Sequence, residues 1–205
     1  MRPMFLFLIL LFGFFRSEAV MAIEEPEYRV IATSEDYEIR EYQPYVVAET
    51  TVSGSLRSSG GKAFRILAGY IFGKNGKQEK MQMTAPVESR PIELGNNVST
   101  ARSDGKSGFT YGFVMESKYD LESLPRPMDE RITLREVPAR RVAARTFSGT
   151  WSNGNYEKNE RALLSALTRD ARQPVDAPML ARYDGPMTPW FMRRNEVLVE
   201  LAPES

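Results

Sequence analysis

The sequence predicts an α+β fold, in which duplicated β-α-β-β units form a distorted antiparallel β-barrel flanked by two helices. Three observations predict it. Residues 40–54, REYQPYVVAETTVSG, and residues 135–149, REVPARRVAARTFSG, align without a gap. The alignment pairs Arg40 with Arg135, Glu41 with Glu136, Val47 with Val142, Ala48 with Ala143, Thr51 with Thr146, Ser53 with Ser148 and Gly54 with Gly149. Each copy is followed by apolar residues at helical spacing, and then by stretches that alternate at the period of a strand. Two such units can set their sheets together about a pseudo-two-fold axis, with a helix on the outer face of each. Pairing of their edge strands would remove exposed edges and curve the sheet into a barrel.

The elements follow in chain order. The opening MRPMFLFLILLFGFFRSEAVMA has Arg2, an apolar run from Met4 to Phe15 and small residues spaced for cleavage at Val20-Met21-Ala22. About a dozen apolar residues are too few for a helix to cross a bilayer of about 30 Å, so residues 1–22 read as a secretory signal peptide. A cut after Ala19 and a retained N-terminal membrane anchor are the competing readings. The remaining 23–205 form a single domain of two halves, about 28–116 and 131–201. Each repeated segment is rich in β-branched residues and carries a proline near its middle, Pro44 or Pro138, so it reads as a bent strand or a pair of short strands. After Gly54 a Ser/Gly linker leads to a helix in GKAFRILAGYIFG, stopped at Gly73. After Gly149 the sequence NYEKNERALLSALTRDA makes the second, less apolar helix. Short strands are expected at KMQMTA and PMLARY, each running into a proline, Pro86 or Pro186. FTYGFVME and NEVLVEL alternate as closing strands. Residues 88–107 are polar and read as a surface loop, and LESLPRPMDER as a linker between the halves.

Composition excludes several functions. Lys and Arg number 27, as do Asp and Glu, so there is no basic field for a nucleic acid backbone. There is no cysteine and no histidine, which removes disulfides, most zinc, copper and iron–sulfur sites, and Ser-His-Asp or Cys-His catalysis. An exported, disulfide-free chain must then be held by its core, which its length permits. The chain is expected to be a monomer, with no membrane insertion once the signal is removed.

The segments DYEIREY (36–42), GGKAFRILAGYIFG (60–73), EKMQMTAPV (79–87), LREVPARRVAARTFSG (134–149) and, above all, ARYDGPMTPWFMRRNEV (181–197) together resemble the SOUL family of haem-binding proteins. The resemblance runs from about Glu25 to Leu201. It implies a duplicated β-α-β-β barrel with two flanking helices, similar to the gyrase-inhibitor-like effector-binding domains. It also implies a tetrapyrrole held in an apolar surface cleft near the first helix and the loop before the last strand. The chain departs from the family proposal that a histidine ligates the iron. Haem would be held by packing and its propionates, or Met, Tyr or Lys would supply a weaker ligand, or haem is not the ligand.

On this reading Phe64, Leu67, Tyr70 and Ile71 present an apolar wall to the porphyrin, and Met83, with Met81 beside it, supplies adaptable packing or an axial sulfur. The competing assignment is that these residues are ordinary core. Met187, Trp190 and Phe191 sit in a loop stiffened by Pro186 and Pro189 and are expected as a second ligand wall. Arg193 and Arg194 would lie at the rim, where a guanidinium can clamp a propionate. For Arg194 a structural ion pair with Glu196, Glu41 or Glu136 is favoured instead. The expected function is non-catalytic binding of haem or a related tetrapyrrole, for carriage or buffering. The alternatives are a module for another amphipathic small molecule, or a small hydrolase using Tyr183-Asp184 with Glu79 or Glu196.

Overall fold

The computed structural model describes residues 23–92 and 108–203. The expected signal peptide and most of the polar loop lie outside the described residues. The elements are β1 (Tyr28–Thr33), β2 (Glu38–Tyr42), β3 (Tyr45–Ser53), α1 (Leu56–Ile71), β4 (Val87–Pro91), β5 (Gly108–Val114), β6 (Thr133–Val137), β7 (Arg140–Phe147), α2 (Asn153–Arg169), β8 (Met179–Arg182), a 3-10 turn (Trp190–Met192) and β9 (Asn195–Glu200).

Each repeated segment is a pair of strands. Pro44 and Pro138 fall between them, where a missing donor costs no ladder bond. Both segments end on a glycine at nearly the same unusual dihedral, φ +119° at Gly54 and +120° at Gly149, a region closed to residues with a Cβ. That turn delivers the chain to a serine cap. Ser55 accepts from the Ser58 amide and Ser152 from the Asn155 amide, each at 3.3 Å, satisfying a donor that the first helical turn leaves open.

Among the described residues nine strands form one antiparallel sheet in the order β1-β2-β7-β9-β8-β4-β5-β3-β6, curled as a half-barrel. Three seams join the halves: β2 with β7, β8 with β4, and β3 with β6. The first strand of each half therefore lies against the second strand of the other. The curl leaves β1 and β6 as the two edges rather than pairing them with each other. β1, outside the repeated unit, covers β2, and the Arg29–Glu41 ion pair at 2.6 Å puts charge on that rim.

Both helices pack on one face of the sheet, α1 over β3 and β5, α2 over β7 and β9. Leu67, Ile71, Leu163, Leu167, Tyr111 and Val197 fill the space between. The other face carries a smaller cluster around Tyr42, Val142, Ala144, Met179, Ala181 and Leu198. Among these sits a buried ion pair, Arg40 to Glu196, at 2.8 and 3.1 Å.

Two boundaries differ from expectation. The first helix begins at Leu56 and takes in the Ser/Gly stretch, because the Ser55 cap and a buried hydroxyl contact, Ser59 to Tyr111 at 2.7 Å, stabilise its first turns. KMQMTA is no strand: Lys80 makes only an isolated bridge to Phe72, and the Met81 and Ala85 amides are spent on Ile71 and Glu24 carbonyls. The strand is the polar VESRP that follows Pro86, inside the stretch read as a loop. Its buried Glu88 accepts from the Tyr45 hydroxyl at 2.7 Å, so a cross-strand partner overrides a weak strand propensity.

Candidate functional site

Between α1, strands β4 and β5, and the turn after β8 lies a groove of about 520 Å3. This is the size of an ordinary small-molecule site. Its wall is largely apolar: Leu56, Phe64, Met83, Val87, Phe113, Trp151 and Pro186 line it, with Gly60 and Gly61 leaving the α1 surface low. Phe64 is 47 % exposed, and its ring stands edge-on to Phe113 at 5.6 Å. The helix explains this exposure. Ala63, Leu67, Tyr70 and Ile71 form its inward stripe, and Phe64 sits one step round from it, at the groove's margin.

That stripe corrects part of the expected wall. Leu67, Tyr70 and Ile71 are at most 1 % exposed and belong to the core between α1 and the sheet. The Tyr70 hydroxyl donates to the Pro125 carbonyl at 2.8 Å, and burial, with Tyr119 and Glu79 near, pushes its pKa up to about 12. Of the four first-helix residues expected on the wall, Phe64 alone faces the groove; Met83 lines it too.

The 185–192 loop is also placed differently. Gly185 and Pro186 line the groove, whereas Met187 is 93 % exposed and Trp190 and Phe191 are exposed beside it. Their rings pack edge-to-face on each other at 5.6 Å instead of on the groove. The cause is Arg193, which is no free rim clamp. Its Nε donates to the Thr188 carbonyl at 2.9 Å and its Nη2 to Pro186 at 3.0 Å, folding the loop back on itself. The same guanidinium lies 4.1 Å from the Trp151 ring centre, backing the groove from outside. Arg194 is in a structural ion pair, with Glu25 at 2.7 Å and Glu196 at 3.4 Å.

The groove also contains residues that sequence reasoning passed over. Trp151 stands on its wall, held by its indole N–H donating to Asn195 at 2.9 Å. Arg182 enters from the end of β8, with its guanidinium 5.3 Å from the Trp151 ring centre and 5.9 Å from that of Tyr111. Among the described residues its one side-chain hydrogen bond is long, 3.4 Å from Nη2 to the Ser89 hydroxyl, and its sealed Nε has no partner there. Burial pushes its pKa below the ordinary guanidinium value. The signal for it was present: in PMLARY, Leu180 and Arg182 share one face of a strand, so the arginine occupies an inward register.

The candidate catalytic groups are placed as stabilisers. The Tyr183 hydroxyl donates to Glu196 at 2.7 Å. Burial, then the Glu196 charge, raise the tyrosine's pKa well above its usual value. Glu79 accepts from Tyr119, and Asp184 accepts from the Arg194 amide at 2.6 Å. A larger depression of about 1130 Å3 runs along another side of α1. It is wide and carries Lys62, Arg65, Lys74, Asp129, Glu130 and Arg131, which suits water better than an apolar ligand. Among the described residues no group of three or more acidic side chains is placed to hold a metal ion.

Comparison with known proteins agrees with this architecture. "Heme-binding protein 1" of Xenopus laevis is 26% identical over 193 residues, covering 91% of this chain and 97% of that protein. "Heme-binding protein 2" of Homo sapiens is 27% identical over 192 residues, covering 87% and 90%. Among solved structures, the C-terminal domain of EcmrR superposes with a TM-score of 0.62 at 10% identity, over 85% of this chain and 98% of that one. A structure described as a hydrolase from Listeria innocua gives 0.57 at 9% identity, over 84% and 94%; at these identities the likeness concerns the fold alone. Residues 23–200 match the family described as SOUL heme-binding protein, and the chain belongs to that family.

Proposed function

We propose that the protein binds haem or a related tetrapyrrole in the α1 groove, without catalysis, for carriage or buffering. The observation that supports this most is the groove's chemistry: a flat aromatic wall of Phe64, Phe113 and Trp151, with guanidinium groups from Arg57 and Arg182 in a largely apolar lining. A planar apolar ring bearing acid side chains fits such a lining. The chain has no imidazole to offer iron; the Met83 thioether is the soft donor on the wall. Bound haem would supply its iron and its visible spectrum, while the protein's own residues would bury the ring, keep water from one face and pair its acids. Affinity then rests on apolar burial and charge pairing, in the micromolar range, about −8 kcal/mol. Residues 1–22 support export to a periplasmic or extracellular space, and among the described residues no helix is long and apolar enough to cross a membrane. The missing imidazole also supports a second reading, a carrier of another amphipathic acid.

Haemin titrated into the mature chain is expected to give a saturable Soret shift. Phe64→Ala should weaken it about tenfold, equivalent to about 1.4 kcal/mol. Trp190→Ala, off the groove, should leave it unchanged. A linear, non-saturating absorbance change would withdraw haem as the ligand, and the mass of what co-purifies from the native host would name the replacement.

A further inference from the structure

Buried arginines elsewhere in this fold are matched by acids: Arg40 by Glu196 at 2.8 Å, Arg140 by Glu200 at 3.6 Å and Glu88 at 4.0 Å. Arg182 has no such partner, and among the described residues no carboxylate oxygen pairs with it. The nearest acid in the groove lining, Asp184, is turned to the Arg194 amide. The other cation in the lining, Arg57, supplies no counter-charge. A guanidinium in a largely apolar site without a counter-charge is costly. What surrounds it keeps space open beside it. Opposite Nη1 stands Gly60, where an added Cβ would lie 3.9 Å from that nitrogen and 3.7 Å from the Tyr111 hydroxyl; at Gly61 an added Cβ would meet nothing within 4 Å. The Trp151 and Tyr111 rings flank the guanidinium and favour its charged form by cation–π attraction.

We propose that Arg182 is the anchor for one carboxylate of the ligand, which enters the groove acid end first, past Gly60 and Gly61, and leaves its apolar body against Phe64, Met83 and Phe113. The proposal rests on the groove being the ligand site. It replaces a clamp at the rim, which Arg193 cannot supply, by an anchor at the floor. The ligand class it selects is a carboxylate amphiphile, whether a tetrapyrrole with propionate arms or a long-chain fatty acid, since both offer a planar acceptor that matches a guanidinium bidentately.

The test compares haemin, haemin dimethyl ester and palmitate as probes of the full mature chain and of Arg182→Met, with Gly61→Trp as a variant that fills the groove. The wild type is expected to bind haemin at least tenfold more tightly than its diester. Arg182→Met should erase that preference by weakening haemin and palmitate while leaving the diester unchanged. Saturable binding of haemin and diester with equal affinity by the wild type, or a preference that persists in Arg182→Met, overturns the anchor. Palmitate binding that Arg182→Met abolishes, with no saturable haemin binding, upholds the anchor and assigns the acid to a fatty chain. Saturable binding of every probe that Gly61→Trp leaves untouched removes the groove itself as the site, a distinct failure. Arg182→Gln gives the same comparison if the methionine variant does not fold.

Discussion

Glu196 is 1 % exposed on its side chain, yet it holds a charge. Burial opposes its ionisation, but hydrogen bonds and charge from Arg40, then the Tyr183 hydroxyl and the Arg194 charge, outweigh that and hold its pKa below the ordinary 4.5. A carboxyl whose folded pKa is depressed stabilises the fold fully above its unfolded pKa, and this contribution is lost as pH falls through the folded value. Urea midpoints are therefore expected to hold from pH 7 down to about 4.5 and fall below it. Glu196→Gln should lower stability at pH 7 by about 1–3 kcal/mol, because it removes the buried charge facing Arg40 and leaves that guanidinium Glu38 alone, 2.8 Å away, and should flatten the acid dependence; an unchanged slope in that variant would count against the assignment. Arg40 was legible as half of the repeated Arg-Glu step. Its partner was not, since 156 residues separate them and only the β2, β7 and β9 registers bring them together. Arg182 was hidden differently: beside a motif as conspicuous as GPMTPWFMRR, a lone arginine ending a short strand reads as a solvated terminus.

At the scale of elements, the two strand-to-helix junctions are the fold's least substitutable points. Gly54→Ala and Gly149→Ala each force a Cβ into a dihedral that only glycine adopts freely, and would bring it within 2.7 Å of Ser58 Oγ and Asn155 Nδ2 respectively. Each substitution is expected to cost about 1–3 kcal/mol, read as a lower unfolding midpoint, whereas Ser152→Ala should cost about 1 kcal/mol through the lost cap. These junctions were readable from the Ser-Gly that ends both repeats. The α1 start was not, because serine and glycine compose linkers and capped first turns alike, and what decides between them is the Ser59–Tyr111 contact with a strand 52 residues away. β4 escaped for a related reason: its polar residues find their partners on strands distant in sequence, Glu88 at Tyr45 of β3 and Ser89 at Arg182 of β8. The exposed Trp190–Phe191 pair was assigned to the ligand because apolar residues in a loop suggest a wall; the Arg193 bonds that turn the loop back on itself have no linear signature.

For the whole molecule, the exchanged first strands mean that neither half is complete alone. Residues 23–116 lack the β7 that covers β2, and residues 117–203 lack the β3 that covers β6. Separate halves are expected to show no cooperative unfolding, while mixing them should restore it; a half with its own two-state transition would overturn this view of the topology. The duplicated architecture was legible because the same pattern recurs at a fixed spacing. The exchange was not, because pairing β2 with β3 as a hairpin satisfies the same alternation. The position of β9 carries a further consequence. Though synthesised last, it lies between β7 and β8, and without residues 195–200 the order of strands falls into two unconnected groups. A nascent chain thus cannot close its sheet until residues 195–200 have left the ribosome. Were residues 1–22 to act as the export leader proposed above, this timing would keep the polypeptide threadable through a translocation channel and defer folding to the far side.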